Sequence, residues 1–424
     1  MTSTQTRADE VRELAATGFE ELGRAMAGIG GVHLAVADRV FKAVGPAGAP
    51  ARVAHDAISK GVYAGLRRGA GAIGAGAGAA AAMRRGAQTS PLSHTRGGSL
   101  VIGALNGLYG DTMEREGSAL VAPMSVRVGG RPVDLEPDAL AAAFPDARGR
   151  LVVFVHGLME TEHGWQLRAT RTEGSYGERL ARDLSITPIE IRYNTGRHIS
   201  ENGASLNELL EELVAAWPAP VREIALVGHS MGGLVARSAC HRAGAEGAAW
   251  VGRVRHVVSL GTPHMGAPMA QGVHYLTHGL SVLPETRPFG DFFRRRSAGI
   301  RDLRHGSLVD EDWRDRDPDA LRGEALTEVP LLPGATHHFV SATISRDPRH
   351  PLGRLIGDWL VLQPSASGIA RDRRLGFRDE DGRHLGGTNH IALLNHPAVY
   401  AQLRQWLSVS PEPEVPALPA PAPG

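Results

Sequence analysis

The chain has 424 residues, 42% of them hydrophobic and 21% charged, enough to bury a large core in one main domain with attachments. Its 46 Lys+Arg stand against 45 Asp+Glu, which excludes the one-signed field that would draw the whole molecule to nucleic acid or to an anionic membrane. A single cysteine, Cys240, excludes an intramolecular disulfide framework and is expected to pack inside a helix.

The opening MTSTQTRADEVREL carries acids where a secretory leader needs a basic stretch and an apolar core, so a cytoplasmic protein is expected. Residues 8–45 show helical periodicity broken by GIGG at 28–31, and residues 51–68 show it again. The run RRGAGAIGAGAGAAAAMRRG at 67–86 holds about fifteen mostly small apolar residues, short of the roughly 20 that a span requires. It is read as a packed helix or a connector. Small-residue helices flanked by arginines could still rest on lipid, which leaves peripheral membrane contact open for residues 1–120.

From residue 124 the pattern changes. SVRVGGRPVDL alternates apolar and polar residues around Gly129-Gly130, a hairpin signature. LVVFVHG (151–157) then reads as a buried strand, YGERLARDL (176–184) as a helix and ITPIEIRY (186–193) as a strand. SLNELLEELVAAW (205–217) reads as a helix with Ser205 as N-cap and Glu208 closing a capping box. EIALVGHS, GGLVARSACHRA and VRHVVSLGTPH continue as strand, helix and strand. Such βαβ spacing implies an α/β fold, a parallel sheet with helices on both faces. A mixed segment at 262–335, with HYLTHGLSVL as its apolar part, interrupts the alternation. HHFVSATIS (337–345) resumes as a strand, and HPAVYAQLRQWL (396–407) closes as a helix opened by Asn395 and Pro397. The proline-rich tail is expected to be extended and disordered. The expected division is a helical region at 1–120, an α/β domain at 121–408 with an insertion at 262–335, and a tail at 409–424.

Within this frame one pentapeptide carries chemistry: Gly228-His229-Ser230-Met231-Gly232, a G-x-S-x-G. In a chain with 53 glycines the motif alone decides nothing, since about 0.4 matches are expected by chance. Its context decides more. Ser230 lies where an apolar strand meets a helix, and a sharp turn there would expose the hydroxyl above the sheet edge while small neighbours relieve the crowding. The helix from Met231 would aim its free amides at developing negative charge. A second oxyanion donor is expected after an earlier strand, at the amide of Leu158 following His156-Gly157; the His156 ring is read as holding that loop.

A serine hydroxyl at neutral pH needs a general base, expected later in the chain. His390, on a glycine-flanked loop before the last helix, is the leading candidate, with His384 and His396 as alternatives. The acid that orients it is expected after the preceding strand; Asp358 leads and Asp347 competes. No metal-ligand spacing stands out, because His337-His338 lie on a strand whose successive side chains point to opposite faces. GAGAIGAGAG lacks the strand and acidic follow-up of a dinucleotide loop, so no cofactor and no metal are expected.

Taken as an ordered set, VHGL (155–158), GHSMGGLVAR (228–237), LGTPHMGAP (260–268), GDWLV (357–361) and NHIALLNHP (389–397) resemble the α/β-hydrolase superfamily. Within it the chain is similar to the lipase-like branch of bacterial triacylglycerol lipases and the GPI inositol-deacylase domain. The resemblance spans residues 124–408. It implies an α/β-hydrolase fold with Ser230 as nucleophile, His390 as base, Asp358 as acid, and Leu158 with Met231 as oxyanion donors. His156, Gly157, His229, His264 and Met265 would border the substrate, and the 262–335 segment would be a lid. The pattern departs from the lipase G-D-G-x-V in having Trp359 after Asp358. The function it implies is hydrolysis of carboxylic esters of acyl or lipid-like substrates. Acyl transfer or thioester hydrolysis would use the same residues, and a non-catalytic lipid- or partner-binding protein is the reading from another class.

Overall fold

The computed structural model describes residues 7, 9–11, 13, 14, 91–121, 123–267, 297–317, 326–347, 358, 360–370 and 373–409. The helical periodicity at 15–68, the Gly/Ala run at 67–86, HYLTHGLSVL, Trp359 and the tail beyond 409 lie outside them.

Among the described residues eight strands form one sheet. They are β1 (Ser125–Val128), β2 (Arg131–Pro132), β3 (Arg150–Val155), β4 (Thr187–Arg192), β5 (Glu223–His229), β6 (Val254–Leu260), β7 (Thr336–Thr343) and β8 (Gly382–Gly386). Their order is β2-β1-β4-β3-β5-β6-β7-β8. The β1–β2 hairpin joins β4 antiparallel, and every pairing from β4 through β3 to β8 is parallel. The hairpin turns at Gly129 (φ 57°) and Gly130 (φ 81°), the left-handed pair that a tight turn between twisted strands requires.

Central strands alternate between two cores. Leu151, Val153 and Val155 of β3 meet Ile224 and Leu226 of β5 in one layer, where helices α3 (Ile199–Ala216) and α4 (Met231–Glu246) pack. Val152 and Phe154 enter the other with Ala225 and Val227, under α2 (Tyr176–Leu184) and α6 (Pro397–Leu407). This period of two, with both faces covered, is why β3 and β5 read as continuous apolar runs. Cys240 is buried in α4 as expected, and burial pushes its thiol up to about 12.

Two expectations need correction, and one strand was unforeseen. Helix α3 starts at Ile199, not after Ser205: the Asp302 carboxylate, from α5 (Ala298–His305), accepts the Ile199 amide at 2.8 Å, and Glu201 accepts the His198 amide at 3.1 Å. Ser205 instead accepts Arg197 Nη1 within the helix. Helix α6 is capped by His396, whose Nδ1 accepts the Ala398 amide; Asn395 instead takes the Tyr176 amide and donates to the carbonyls of Trp165 and Leu167. Strand β8 was not anticipated, because GRHLG has little apolar alternation.

Helix α1 (Arg96–Arg115) lies before the boundary expected at residue 120, yet it is built onto the sheet domain. Side chains at Gly103, Gly107 and Gly110 would collide with Thr161, Met159 and Asn194. Its backbone therefore approaches the loop after β3 closely, as small residues allow. Among the described residues no helix is long and apolar enough to cross a membrane.

Candidate active site

The ends of β3, β5, β6 and β7 meet along the carboxyl edge of the sheet, where open α/β sheets bind ligands. Ser230 sits between β5 and α4 with φ 53° and ψ −121°, a strained turn for a residue with a side chain. The turn is held because the Ser230 amide donates to Leu260 O at 2.8 Å and the Gly233 amide returns to Ser230 O at 3.2 Å. Added side chains at Gly228 and Gly232 would meet the Gly233 amide and the Val155 carbonyl, so the tight strand-to-helix junction depends on both glycines.

Loop 156–160 closes over this junction. A Cβ on Gly157 would lie 3.0 Å from Ser230 Cβ. The amides here are spoken for one by one. Gly157 N–H donates to Glu160 Oε2 at 2.8 Å, Met159 N–H to Thr195 Oγ1 at 3.2 Å and Glu160 N–H to Gly157 O at 3.2 Å. The Leu158 amide, between them, makes no hydrogen bond among the described residues, and the same holds for the Met231 amide at the start of α4. Two unused amides thus remain at this junction, one in the loop over Ser230 and one on the residue after it, donors of the kind an oxyanion can take.

His390 follows β8, in a short helical turn opened by Asn389, whose Oδ1 accepts the Ala392 amide at 2.8 Å. Its Nδ1 lies 2.8 Å from Asp358 Oδ2, with both residues almost fully buried. Asp358 Oδ1 accepts the amides of Leu360 (3.0 Å) and Val361 (2.8 Å), and its carbonyl accepts the His390 amide at 3.0 Å. The Asp358 carboxylate is fixed by backbone and in turn fixes the His390 ring. His390 Nε2 is buried and makes no hydrogen bond among the described residues. On its other side the ring meets Gly261: a Cβ there would come within 3.0 Å of His390 Cε1. Gly261 directly follows the Leu260 whose carbonyl holds Ser230, so Ser230 and the His390 ring both meet adjacent residues of one strand end.

The alternatives have other employment. His384 bonds Ser341 and Thr343 hydroxyls, and His396 caps α6. The His390 ring nitrogen engages Asp358, while the Asp347 carbonyl accepts Ser345 Oγ.

Of the expected substrate-bordering residues, three histidines belong to the framework. His156 is buried, with Nδ1 3.0 Å from Gly157 O and its ring stacked 4.4 Å from Tyr193; burial lowers its pKa, so it is neutral. His264 is buried beside Arg237 Nη1 (3.3 Å) and Phe377, and burial with the nearby Arg237 charge drives its pKa well down. The amide of Met265 donates to Ser365 Oγ at 3.1 Å. His229, inside the serine motif, makes an ion pair with Glu160, Nδ1 to Oε1 at 2.9 Å. Glu160 escaped the sequence reading: it sits three residues past an HG turn, a spacing with no signature of its own.

Residues 146–281 match the family described as PGAP1-like alpha/beta domain. A comparison with curated protein sequences finds no match. Among solved structures the chain is similar to the mature lipase BlEst2 of Bacillus licheniformis, at 19% identity and TM-score 0.39, covering 61% of this chain and 91% of that one. It is similar to the phospholipase PlaB of Legionella pneumophila, at 14% identity and TM-score 0.39, covering 62% and 60%. EstA of Clostridium botulinum is a further neighbour, at 13% identity and TM-score 0.38, covering 63% and 89%. The described sheet, mostly parallel with helices on both faces, is of the α/β kind that the matched family's description names.

Proposed function

We propose that this α/β-hydrolase-fold protein is a serine hydrolase of carboxylic esters with an acyl or lipid-like substrate. The observation that carries the reading is the buried Asp358–His390 pair, at 2.8 Å, which meets the same Leu260–Gly261 strand end as Ser230 on its strained turn. Ser230 Oγ attacks the ester carbonyl carbon while His390 Nε2 takes its proton. Asp358 steadies the resulting imidazolium and keeps Nδ1 as the donor. The carbonyl oxygen becomes an oxyanion held by the amides of Leu158 and Met231, donors of a kind worth about 3–4 kcal/mol each. His390 then returns the proton to the leaving alkoxide, and an acyl group remains on Ser230. Water, deprotonated by the same nitrogen, releases the acid and restores the serine.

The test is covalent labelling of the folded chain by a fluorophosphonate, with hydrolysis of p-nitrophenyl esters of graded acyl length. Wild type is expected to label and turn over, and Ser230→Ala to do neither. Hydrolysis persisting in Ser230→Ala would sink the assignment. Acyl-CoA and alcohol acceptors in the same assay separate thioesterase and acyl-transfer chemistry, which need only a different leaving group or second nucleophile.

A further inference from the structure

Outside the triad the most strongly held charged group at the site is Glu160. Its carboxylate faces two partners at once: Oε2 accepts the Gly157 amide at 2.8 Å, and His229 Nδ1 lies 2.9 Å from Oε1 and 3.1 Å from Oε2. The His229 side chain is fully enclosed, whereas that of Glu160 keeps 16% of its surface exposed. On its far side His229 Nε2 reaches His390 O at 3.4 Å, and the two rings lie 4.8 Å apart. Trp165 closes against His229 at 6.3 Å. One side chain from β5 therefore links the loop after β3 to the loop that carries His390.

The surroundings favour the charged form of both members. Burial by itself would raise the Glu160 pKa, but the His229 charge, the hydrogen bond to it and the Gly157 amide bring it down to about 2. For His229, burial opposes the charge, yet Glu160 and the His390 carbonyl raise its pKa above that of an ordinary histidine. Removing one member leaves the other charge enclosed without its counterpart, a costly state.

We propose that Glu160 and His229 are positioning residues for the oxyanion site, an ion pair that clamps loop 157–160 to the nucleophile strand and leaves the Leu158 amide turned to the reacting oxygen. By taking the Gly157 amide, Glu160 fixes the peptide immediately before the one that must donate, and the Met159 bond to Thr195 fixes the one after. Such supporting groups act through the donor and touch no substrate. The catalytic part of this inference rests on the serine-hydrolase reading; the clamp itself does not.

The experiment compares wild type, Glu160→Ala and Glu160→Gln as full chains. It reads amide hydrogen exchange over residues 157–160, steady-state ester hydrolysis, and inhibition by a trifluoromethyl ketone that forms a tetrahedral anion. Glu160→Ala is expected to exchange faster at Gly157 and Leu158. Its kcat and its affinity for the ketone should fall together, about ten- to hundred-fold, with KM little changed. Glu160→Gln, whose Oε1 can still accept the Gly157 amide but which no longer balances the His229 charge, should recover part of both. Glu160→Met, of similar volume without an acceptor, carries the same expectation as alanine should that variant not fold. Wild-type exchange and ketone affinity in the variants without an acceptor would overturn the proposal, as would a glutamine variant no better than they are. A wild type that fluorophosphonate does not label would refute the hydrolase reading instead, and hydrogen exchange would still decide the clamp.

Discussion

Asp358 holds His390 twice, its Oδ2 2.8 Å from Nδ1 and its carbonyl accepting the His390 amide at 3.0 Å. The ring and its peptide are tied to one residue, so tilt and height of the imidazole are set together. Asp358→Asn keeps the backbone bond and loses the charge and the acceptor geometry. We expect kcat to fall about 10³–10⁴-fold, with the fold intact by circular dichroism. Asp347→Ala is expected to stay within about two-fold of wild type, a conservative allowance for a surface change away from the triad. Equal losses in the two variants would show that the acid is not Asp358.

Ser230 is a non-glycine residue at φ 53°, ψ −121°, so its backbone costs stability whether or not it reacts. Ser230→Gly relieves that strain and loses the nucleophile; Ser230→Ala loses the nucleophile and keeps the strain. The glycine variant should be the more stable of two inactive proteins by about 1 kcal/mol, net of glycine's greater unfolded-state entropy. Urea midpoints at matched m-values measure this, and an alanine variant equal to or above the glycine one would argue against strain at the turn.

Gly261 tests how closely His390 must be held under the proposed mechanism. Its φ is 60°, and a Cβ would lie 2.9 Å from Leu393 Cδ1 and 3.0–3.1 Å from His390 Cε1 and Nδ1. Gly261→Ala must therefore displace the imidazole or its neighbour. We expect a loss in kcat of about 10²-fold, out of proportion to the change in melting temperature, because misplacement of a catalytic group by about 1 Å has that effect. Wild-type kcat in a stably folded Gly261→Ala would mean that the His390 ring has room to yield.

Much of this architecture was legible because its causes are local. The apolar runs of β3 and β5 report a sheet covered on both faces, and Ser175 with Glu178 marks the start of α2. His390 was singled out by its glycine-flanked loop before the last helix, and its ring lies against Asp358. What stayed hidden depends on partners far along the chain. The start of α3 is held by Asp302, 103 residues away, and the local Glu201–His198 bond lacks the Ser, Thr, Asp or Asn that marks a cap in sequence. The Glu160–His229 pair joins residues 69 apart whose types are common in any loop or strand end. Helix α1 was obscured by composition, since its glycines read as weak helix positions; their use becomes visible only where Met159, Thr161 and Asn194 press against them.

Glu190 on β4 gives a stability prediction with a definite pH course. Burial, then the charge of Glu162, raises its pKa from 4.5 to about 7, against a weaker opposing hydrogen bond from Gln166. Below pH about 4.5 the carboxyl is protonated in both folded and unfolded chains and costs nothing. Between there and pH about 7 the unfolded chain has released the proton and the folded one retains it, so stability falls as pH rises; above pH 7 the penalty is constant. Glu190→Gln removes the ionisation and keeps a polar partner for Gln166. Its unfolding free energy should match wild type at pH 4 and exceed it by about 1–2 kcal/mol at pH 8, a figure reduced for the partial exposure of the side chain. Denaturant titrations at the two pH values check both magnitude and sign. A gain present at pH 4, or a loss at pH 8, would show that Glu190 is not held in its neutral form by the fold.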